Sequence, residues 1–191
     1  MAQSTRERMV EGAIELLATK GVNGSSVNQV LEFTNTPRGS VYHHFPGGRD
    51  ELLSAALSLA AQRHDDWVTA HAGTSAESVV DGFLAFWRRV LLDSGLQSGC
   101  PVLAVTVAAP DGELFDHAGH VFRASLARLA DLLEQTGLSA DSAQDLATFL
   151  VAAAEGGVVL ARAQRSLDAF EVVAANLLAH TRQLDHAPTS Y

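Results

Sequence analysis

The feature that most restricts this chain is the spacing of its apolar residues, which recur every three or four positions along nearly its whole length. That is the period of one face of a helix. Val10, Ala13, Ile14 and Leu17 form such a stripe in residues 4–20, and Leu52, Leu53, Ala56, Leu59, Ala60 and Trp67 form another in residues 49–70. Val79, Val80, Phe83, Phe86, Trp87, Val90 and Leu91 mark a further helix, and Leu114, Phe115, Ala118, Phe122, Leu126, Leu129 and Leu133 one over residues 113–135. Residues 140–164 and 168–184 supply two more. The segment VLAVTVAA after Pro101 is too short for its period to decide, but no second strand candidate exists for it to pair with, so it is assigned as a helix. The expected fold class is all-α, with about nine helices.

Capping signals divide the first 45 residues more finely. Gly21 ends the first stripe. Ser26 and Gln29 have capping-box spacing, which predicts a helix of two turns reaching Phe33. Thr36 is a good N-cap and Pro37 suits a first helical position, which predicts a third short helix to about Phe45, followed by the loop PGG. Three short helices precede six mostly longer ones. The expected division is a small module over residues 1–48 and a larger helical domain over 49–191, with the helix at about 49–71 connecting them.

Charge divides the same way. The net charge is -9, yet residues 1–50 hold five bases and five acids, and residues 51–191 hold eight bases and seventeen acids. A polyanionic partner is therefore disfavoured by the whole chain but not by its first quarter. The 47% hydrophobic content excludes a disordered chain, and a lone Cys100 excludes a disulfide scaffold. No uninterrupted apolar run has membrane-spanning length, because TFLVAAAEGGVVLARA carries Glu155 and Arg162, so no membrane partner is expected. The opening MAQSTRERMVEG lacks a signal peptide's apolar core, and the expected location is the cytoplasm.

Residues 26–45, SVNQVLEFTNTPRGSVYHHF, place two short helices around a four-residue turn. This is helix-turn-helix spacing, in which the second helix enters the major groove of DNA. Val41 and Phe45, four apart, face the module's core with Val27, Val30 and Leu31, leaving Thr36, Arg38, Gly39, Ser40 and His43 to face outward. Arg38 has the planar fork that reads guanine, Ser40 both donates and accepts, and Gly39 permits close backbone approach. Tyr42, His44 and Arg49 have the reach for phosphate oxygens.

The string GSVYHHFPGGRDELL is more specific, and through it the chain resembles the TetR family of bacterial transcriptional regulators. Within that family PGGRDEL, SGCPVLAVTVAA, AAAEGGVVLARAQRS and the closing amphipathic helix are most similar to the LmrA/YxaF-like subgroup. The resemblance implies an N-terminal three-helix DNA-binding module and a C-terminal helical domain for ligand binding and dimerisation. Carried over by position, it implies groove contacts at Thr36, Arg38, Gly39, Ser40 and His43, and phosphate contacts at Ser26, Asn28, Tyr42, His44 and Arg49. Two departures stand out. Thr34-Asn35-Thr36 occupies the turn where the family commonly has Ala-Gly-Val, and Asn tolerates the left-handed conformation such a turn needs. Arg49 stands where Lys is usual, displaced by an inserted Gly.

The resemblance also implies an effector pocket in the larger half, where Trp67, Phe83, Phe86, Trp87, Phe115, Phe122 and Phe149 are concentrated. Such side chains either enclose a flat apolar ligand or form core. With Leu103 and Val107, and with Cys100, His117 and Glu155 as polar groups, they are the candidate pocket residues. Glu155 either faces the pocket or pairs with an Arg across a dimer interface. Ala152, Ala153, Gly156, Val159, Leu160, Ala163, Phe170, Val173 and Leu177 are the candidate two-fold dimer surface on the last two helices.

His117 and His120 beside Asp116 lack further ligands at a fixed spacing, so no metal is expected, and no cofactor motif occurs. Cys100 fits a small buried apolar role better than a redox one. No nucleophile elbow, phosphate loop or dinucleotide fingerprint is present, so no enzyme is expected. The expectation is a ligand-responsive regulator, a repressor by family habit. It would bind a palindromic operator in double-stranded DNA as a homodimer and be released by a small hydrophobic or aromatic effector. The alternative is a helical small-molecule binder whose DNA-binding module no longer functions.

Overall fold

Most helices begin where the sequence supplies a cap. The computed structural model describes residues 4–109 and 111–185, and in them nine α-helices and one 3-10 turn, with no strand. Helix α1, Thr5–Lys20, opens on a reciprocal capping box: Ser4 N–H donates to Glu7 Oε2 at 2.8 Å and Glu7 N–H to Ser4 Oγ at 3.2 Å. It ends at Gly21, whose φ of 68° is open to glycine without strain. The 3-10 turn Val22–Gly24 follows, then α2, Val27–Phe33, with the expected box between Ser26 and Gln29. Asn35 adopts φ 49°, and Thr36 N–H closes back on Leu31 O at 2.9 Å, so Asn does perform the left-handed turn.

Helix α3, Ser40–His44, is shorter than the expected helix from Thr36–Pro37. Pro37 to Ser40 form a turn instead, closed by Ser40 N–H to Pro37 O at 3.0 Å. Thr36 is drawn inward: its hydroxyl accepts from Thr34 Oγ1 at 3.0 Å and donates to Thr34 O, leaving it unavailable to cap. The PGG loop then sets up α4, Gly48–His71, where Glu51 reaches back to accept from Gly47 N–H at 2.7 Å. Beyond it run α5 (Ala76–Asp93), α6 (Pro101–Ala108), α7 (Glu113–Glu134), α8 (Ala140–Gln164) and α9 (Asp168–Asp185). Pro101 starts α6 at its first position, as expected of a residue without an N–H, and Cys100 Sγ accepts from Leu103 N–H at 3.3 Å.

The helices gather into two compact units that do not follow a boundary at 48/49. One comprises Met1–Gln62 with Ser98–Phe122, the other Arg63–Gln97 with Arg123–Tyr191. In the first, α1 packs on both α2 and α6, and Gly99 N–H donates to Ala18 O at 2.9 Å, joining the strand of loop before α6 to the end of α1. Met9, Leu16, Leu17, Val30, Val41, Phe45, Leu52 and Leu53 are its fully buried core. Gly12 lies so close to the α2 turn that a Cβ there would collide with Thr34 Cγ2. Also in this unit, His117 Nε2 lies 3.0 Å from Ser58 Oγ and 3.2 Å from Ser54 O, tying α7 to α4.

In the second unit α8 and α9 pack on each other and both on α5. Gly157 sits with its Cβ position 3.3 Å from the Phe170 ring, so this small residue lets α8 approach α9 of the same chain. Two ion pairs fasten α5 to α9: Arg88 to Glu171 in bidentate form at 2.6 and 2.9 Å, and Arg182 to Glu77 at 2.6 Å. Hydrogen bonds from Arg88 hold the Glu171 carboxyl below its ordinary range, against the opposing effect of its partial burial. Helix α8 is long and apolar enough to cross a membrane by length and composition, but Glu155 interrupts it and 39% of its apolar window is buried within the chain.

Candidate DNA-recognition and effector sites

The recognition edge is built on two anchors. Val41 and Phe45 are both completely buried, as their four-residue spacing predicts, and they fix the rotation of α3. With that face turned inward, Arg38, Gly39, Tyr42 and His43 are exposed, and Tyr42 retains 70% of its accessible surface. Arg38 makes no hydrogen bond or ion pair among the described residues, so its fork is free. His43 and His44 meet edge to face at 4.8 Å, with His44 half-buried. Asn28 is exposed on α2, whereas Ser26 and Ser40 are half-buried.

Two of the expected contact residues are engaged within the fold. Thr36 is 7% exposed and committed to the turn, so a groove contact by its side chain does not fit its placement. Arg49 is half-buried, its Nη2 donating to Val22 O at 2.6 Å and its Nε to Ser25 O at 3.3 Å. Its guanidinium braces the turn that leads into α2 instead of standing free for a phosphate. Arg6, which sequence reasoning did not single out, places its guanidinium 5.1 Å from the Phe45 ring, adding a cation beside the end of α3. A lone Arg in a polar first turn gives no sequence signal of that contact.

The expected effector residues divide between the two units. In the second, Phe83 and Trp87 are buried and Phe86 and Trp67 half-buried, and they cluster with His64, a residue not anticipated from sequence. Trp67 donates its indole N–H to Gly82 O at 3.2 Å, stacks on His71 at 3.8 Å and lies under Arg89 at 5.1 Å. Glu155 is half-buried on α8, and Phe149 is 50% exposed, edge-on to His180. In the first unit Leu103, Phe115, His117 and Phe122 are half-buried and Cys100 is buried, while Val107 is 75% exposed and faces away from the chain. Among the described residues no group of three His, Cys, Asp or Glu is arranged to hold a metal.

On α8 the expected dimer residues Ala152, Gly156, Val159, Leu160 and Ala163 are exposed along one stripe, with Ala153 half-buried. On α9 the more apolar face has gone to the chain's own core: Phe170 is 0% and Leu177 1% exposed, and Val173 is half-buried. The open face of α9 carries Val172, Ala175 and Ala179, which sequence reasoning passed over because both faces of that helix are apolar.

Residues 9–63 match the model of the bacterial regulatory proteins of the tetR family, and residues 76–176 match the C-terminal domain of LmrA/YxaF-like transcriptional regulators. An uncharacterized HTH-type transcriptional regulator of Mycobacterium tuberculosis is 33% identical over 178 residues, covering 90% of this chain and 91% of that one. The chain belongs to the TetR family. Within it, the LmrA/YxaF-like subgroup is supported further by the regulator LmrA of Bacillus subtilis, 26% identical over 164 residues, with 82% of this chain and 85% of LmrA covered. The fold recurs in TetR regulators from Legionella pneumophila (TM-score 0.82, 20% identity, 94% of this chain and 98% of that one) and Rhodobacter sphaeroides (0.79, 21%, 91% and 96%). TetR-family proteins are soluble DNA-binding transcriptional regulators, so this chain is a regulator and not an enzyme.

Proposed function

We propose that this TetR-family regulator is a repressor that binds a palindromic operator as a homodimer and leaves it when a small, flat hydrophobic or aromatic effector binds. In this reading residues 1–48 read DNA, and residues 49–191 sense the effector and form the dimer. The observation that carries the reading is the recognition edge: Val41 and Phe45 are wholly buried, while Arg38 and Tyr42 on the same short segment are exposed. Anchoring one face of α3 orients the other, which is the arrangement that base-edge contacts require. Support for a dimer comes from the apolar stripe of α8, where Val159 and Leu160 are each 47% exposed, continued on α9 by Val172 at 62%. An exposed apolar patch of that kind marks an association surface. Support for an aromatic effector comes from the ring cluster around Phe86.

Two-fold symmetry sets the geometry of the DNA site. Half-sites are expected about one helical turn, roughly 10 bp, or a multiple apart. Release requires only that the effector bind the DNA-free conformation more tightly, and about 5.5 kcal/mol of such preference carries a population from 1:99 to 99:1. The test is selection of genomic fragments by the purified dimer, followed by footprinting. A protected palindrome bound by two chains is the expected result. Protection of a single half-site by a monomer, or retention of no fragment at low salt, would overturn the reading.

A further inference from the structure

The first turn of α1 carries a cation where a helix favours an anion. Arg6 is the second residue of α1, among backbone N–H groups whose partial positive charge a carboxylate complements and a guanidinium opposes. The adjacent carboxylate, Glu7, turns away from it and accepts from Ser4 N–H at 2.8 Å in the capping box. The carboxylate of Glu51, in the first turn of α4, is likewise engaged on its own loop, accepting from Gly47 N–H at 2.7 Å. Arg6 is exposed and makes no hydrogen bond or ion pair among the described residues.

What holds Arg6 is an aromatic ring. Its guanidinium lies over Phe45, 5.1 Å from the ring centroid, and Phe45 is the wholly buried residue that closes α3. A guanidinium against a ring face keeps its N–H donors, which lie in its own plane, open to an oxygen acceptor. The cation is thus positioned by the fold and left unneutralised.

Its place relative to α3 says what acceptor it would meet. Arg38 precedes the N-terminal end of that helix, and Phe45 stands at the other end. The helical residues of α3 rise about 7.5 Å, and the major groove is about 12 Å wide. A helix whose first end meets base edges therefore carries its last end to the groove wall, which is sugar and phosphate. His44, beside Phe45, is one of the expected phosphate contacts, whereas the guanidinium of Arg49, another, is tied to Val22 O and Ser25 O. Arg6 brings a free cation to that wall from a different helix. Arg8 is exposed too, but it lies two positions further on, about 200° around the helix axis.

We propose that Arg6 is a phosphate contact of the DNA-bound dimer, held by Phe45 at the end of α3 away from Arg38. The inference rests on the reading of α3 as the base-reading helix and adds to it an anchor supplied by α1.

Fluorescence anisotropy on the full chain tests it, with the footprinted operator and random DNA of equal length over about 50–200 mM salt. Arg6→Ala and Arg6→Met should each lower the slope of log affinity against log salt by about two, because each protomer loses one contact of about 0.9. At about 0.1 M salt that is a loss of roughly 60-fold, of comparable size on both DNAs, since phosphates carry no sequence. Arg6→Lys keeps the charge and should keep the slope. Arg8→Ala removes the same charge from another face and should leave the slope as in the parent. Arg6→Met retains an apolar stem over Phe45, so it decides alone should Arg6→Ala fail to fold. An unchanged slope in Arg6→Met, an equal fall in Arg8→Ala, or a loss confined to the operator overturns the proposal. In any of those cases, a parent that protects its operator and an Arg38→Ala variant that weakens it selectively preserve base reading by α3. A parent that binds neither DNA at low salt ends both readings.

Discussion

Replacing Arg49 by Ala separates two roles that look alike from sequence. The side chain makes two charge-assisted bonds, to Val22 O at 2.6 Å and Ser25 O at 3.3 Å, across the turn that positions the N-cap of α2. Hydrogen bonds from charged donors contribute about 1.5–3 kcal/mol each in mutational series. The longer bond is weak, Arg49 is half-buried, and Val22 O also accepts from Ser25 N–H at 3.1 Å, so it is not orphaned by the change. The expected loss is therefore about 2 kcal/mol, below the sum of two full bonds and close to the value of one. With a urea dependence of about 2 kcal/mol per M, the unfolding midpoint followed by circular dichroism should fall by about 1 M. Arg49→Lys should recover less than half, because an ammonium cannot reproduce the fork that spans both carbonyls. Operator affinity should fall, but the slope of log affinity against log salt should stay as in the parent, since no phosphate contact is lost. An unchanged urea midpoint together with a slope smaller by about two would refute the argument, because each protomer of the dimer would lose one phosphate contact and each lost contact changes the slope by about 0.9.

Other expectations follow from the same geometry. The Glu171 carboxyl is held below its ordinary value of 4.5 by hydrogen bonds from Arg88. A depressed folded-state pKa adds stability that is complete above the unfolded value and disappears as pH falls through the folded one. Urea stability should thus decline below about pH 4.5, and less steeply in Glu171→Gln. Gly12→Ala gains helix propensity of up to about 1 kcal/mol but drives Cβ into Thr34 Cγ2, for a net loss of about 1 kcal/mol. Adding Thr34→Ser removes the colliding methyl and should reverse the loss, and additivity in that double-mutant cycle would refute the contact. Leu160→Glu should give a folded monomer by analytical ultracentrifugation, whereas Phe170→Ala, at a fully buried site, should lower stability by about 3–5 kcal/mol.

What was legible in the sequence was whatever local chemistry decides. Ser26 with Gln29, Pro101 at the start of α6, Asn35 in the turn, and Val41 with Phe45 four residues apart each carry their reason within one helical turn, and each is found as read. The internal partners of Arg49 were not legible because they lie 24 and 27 residues away, and an Arg at a helix start looks equally suited to a phosphate. Thr36 was misread because its hydroxyl had two local uses, and the turn of α2 claimed it before α3 could. The face of α9 was illegible for a different reason. Phe170 and Val172 are both apolar, and packing on other helices, α8 at Gly157 and α5 at Arg88, goes with Phe170 turning inward. His64 escaped notice because it stands in the polar run RHDD, with its aromatic neighbours supplied by α5.

The account's central claim is that the exposed segment before and along α3 reads bases. Its most direct test is the affinity of the parent and Arg38→Ala for the footprinted operator and for random DNA of equal length, measured at one salt concentration. Arg38 is exposed and free among the described residues, so its loss should leave folding stability within about 0.5 kcal/mol. Operator binding should weaken by about 2–6 kcal/mol, roughly 30-fold or more, because the dimer loses one contact of about 1–3 kcal/mol in each half-site, with random DNA nearly unaffected. An equal loss on both DNAs, or no loss on either, would contradict base readout by this segment.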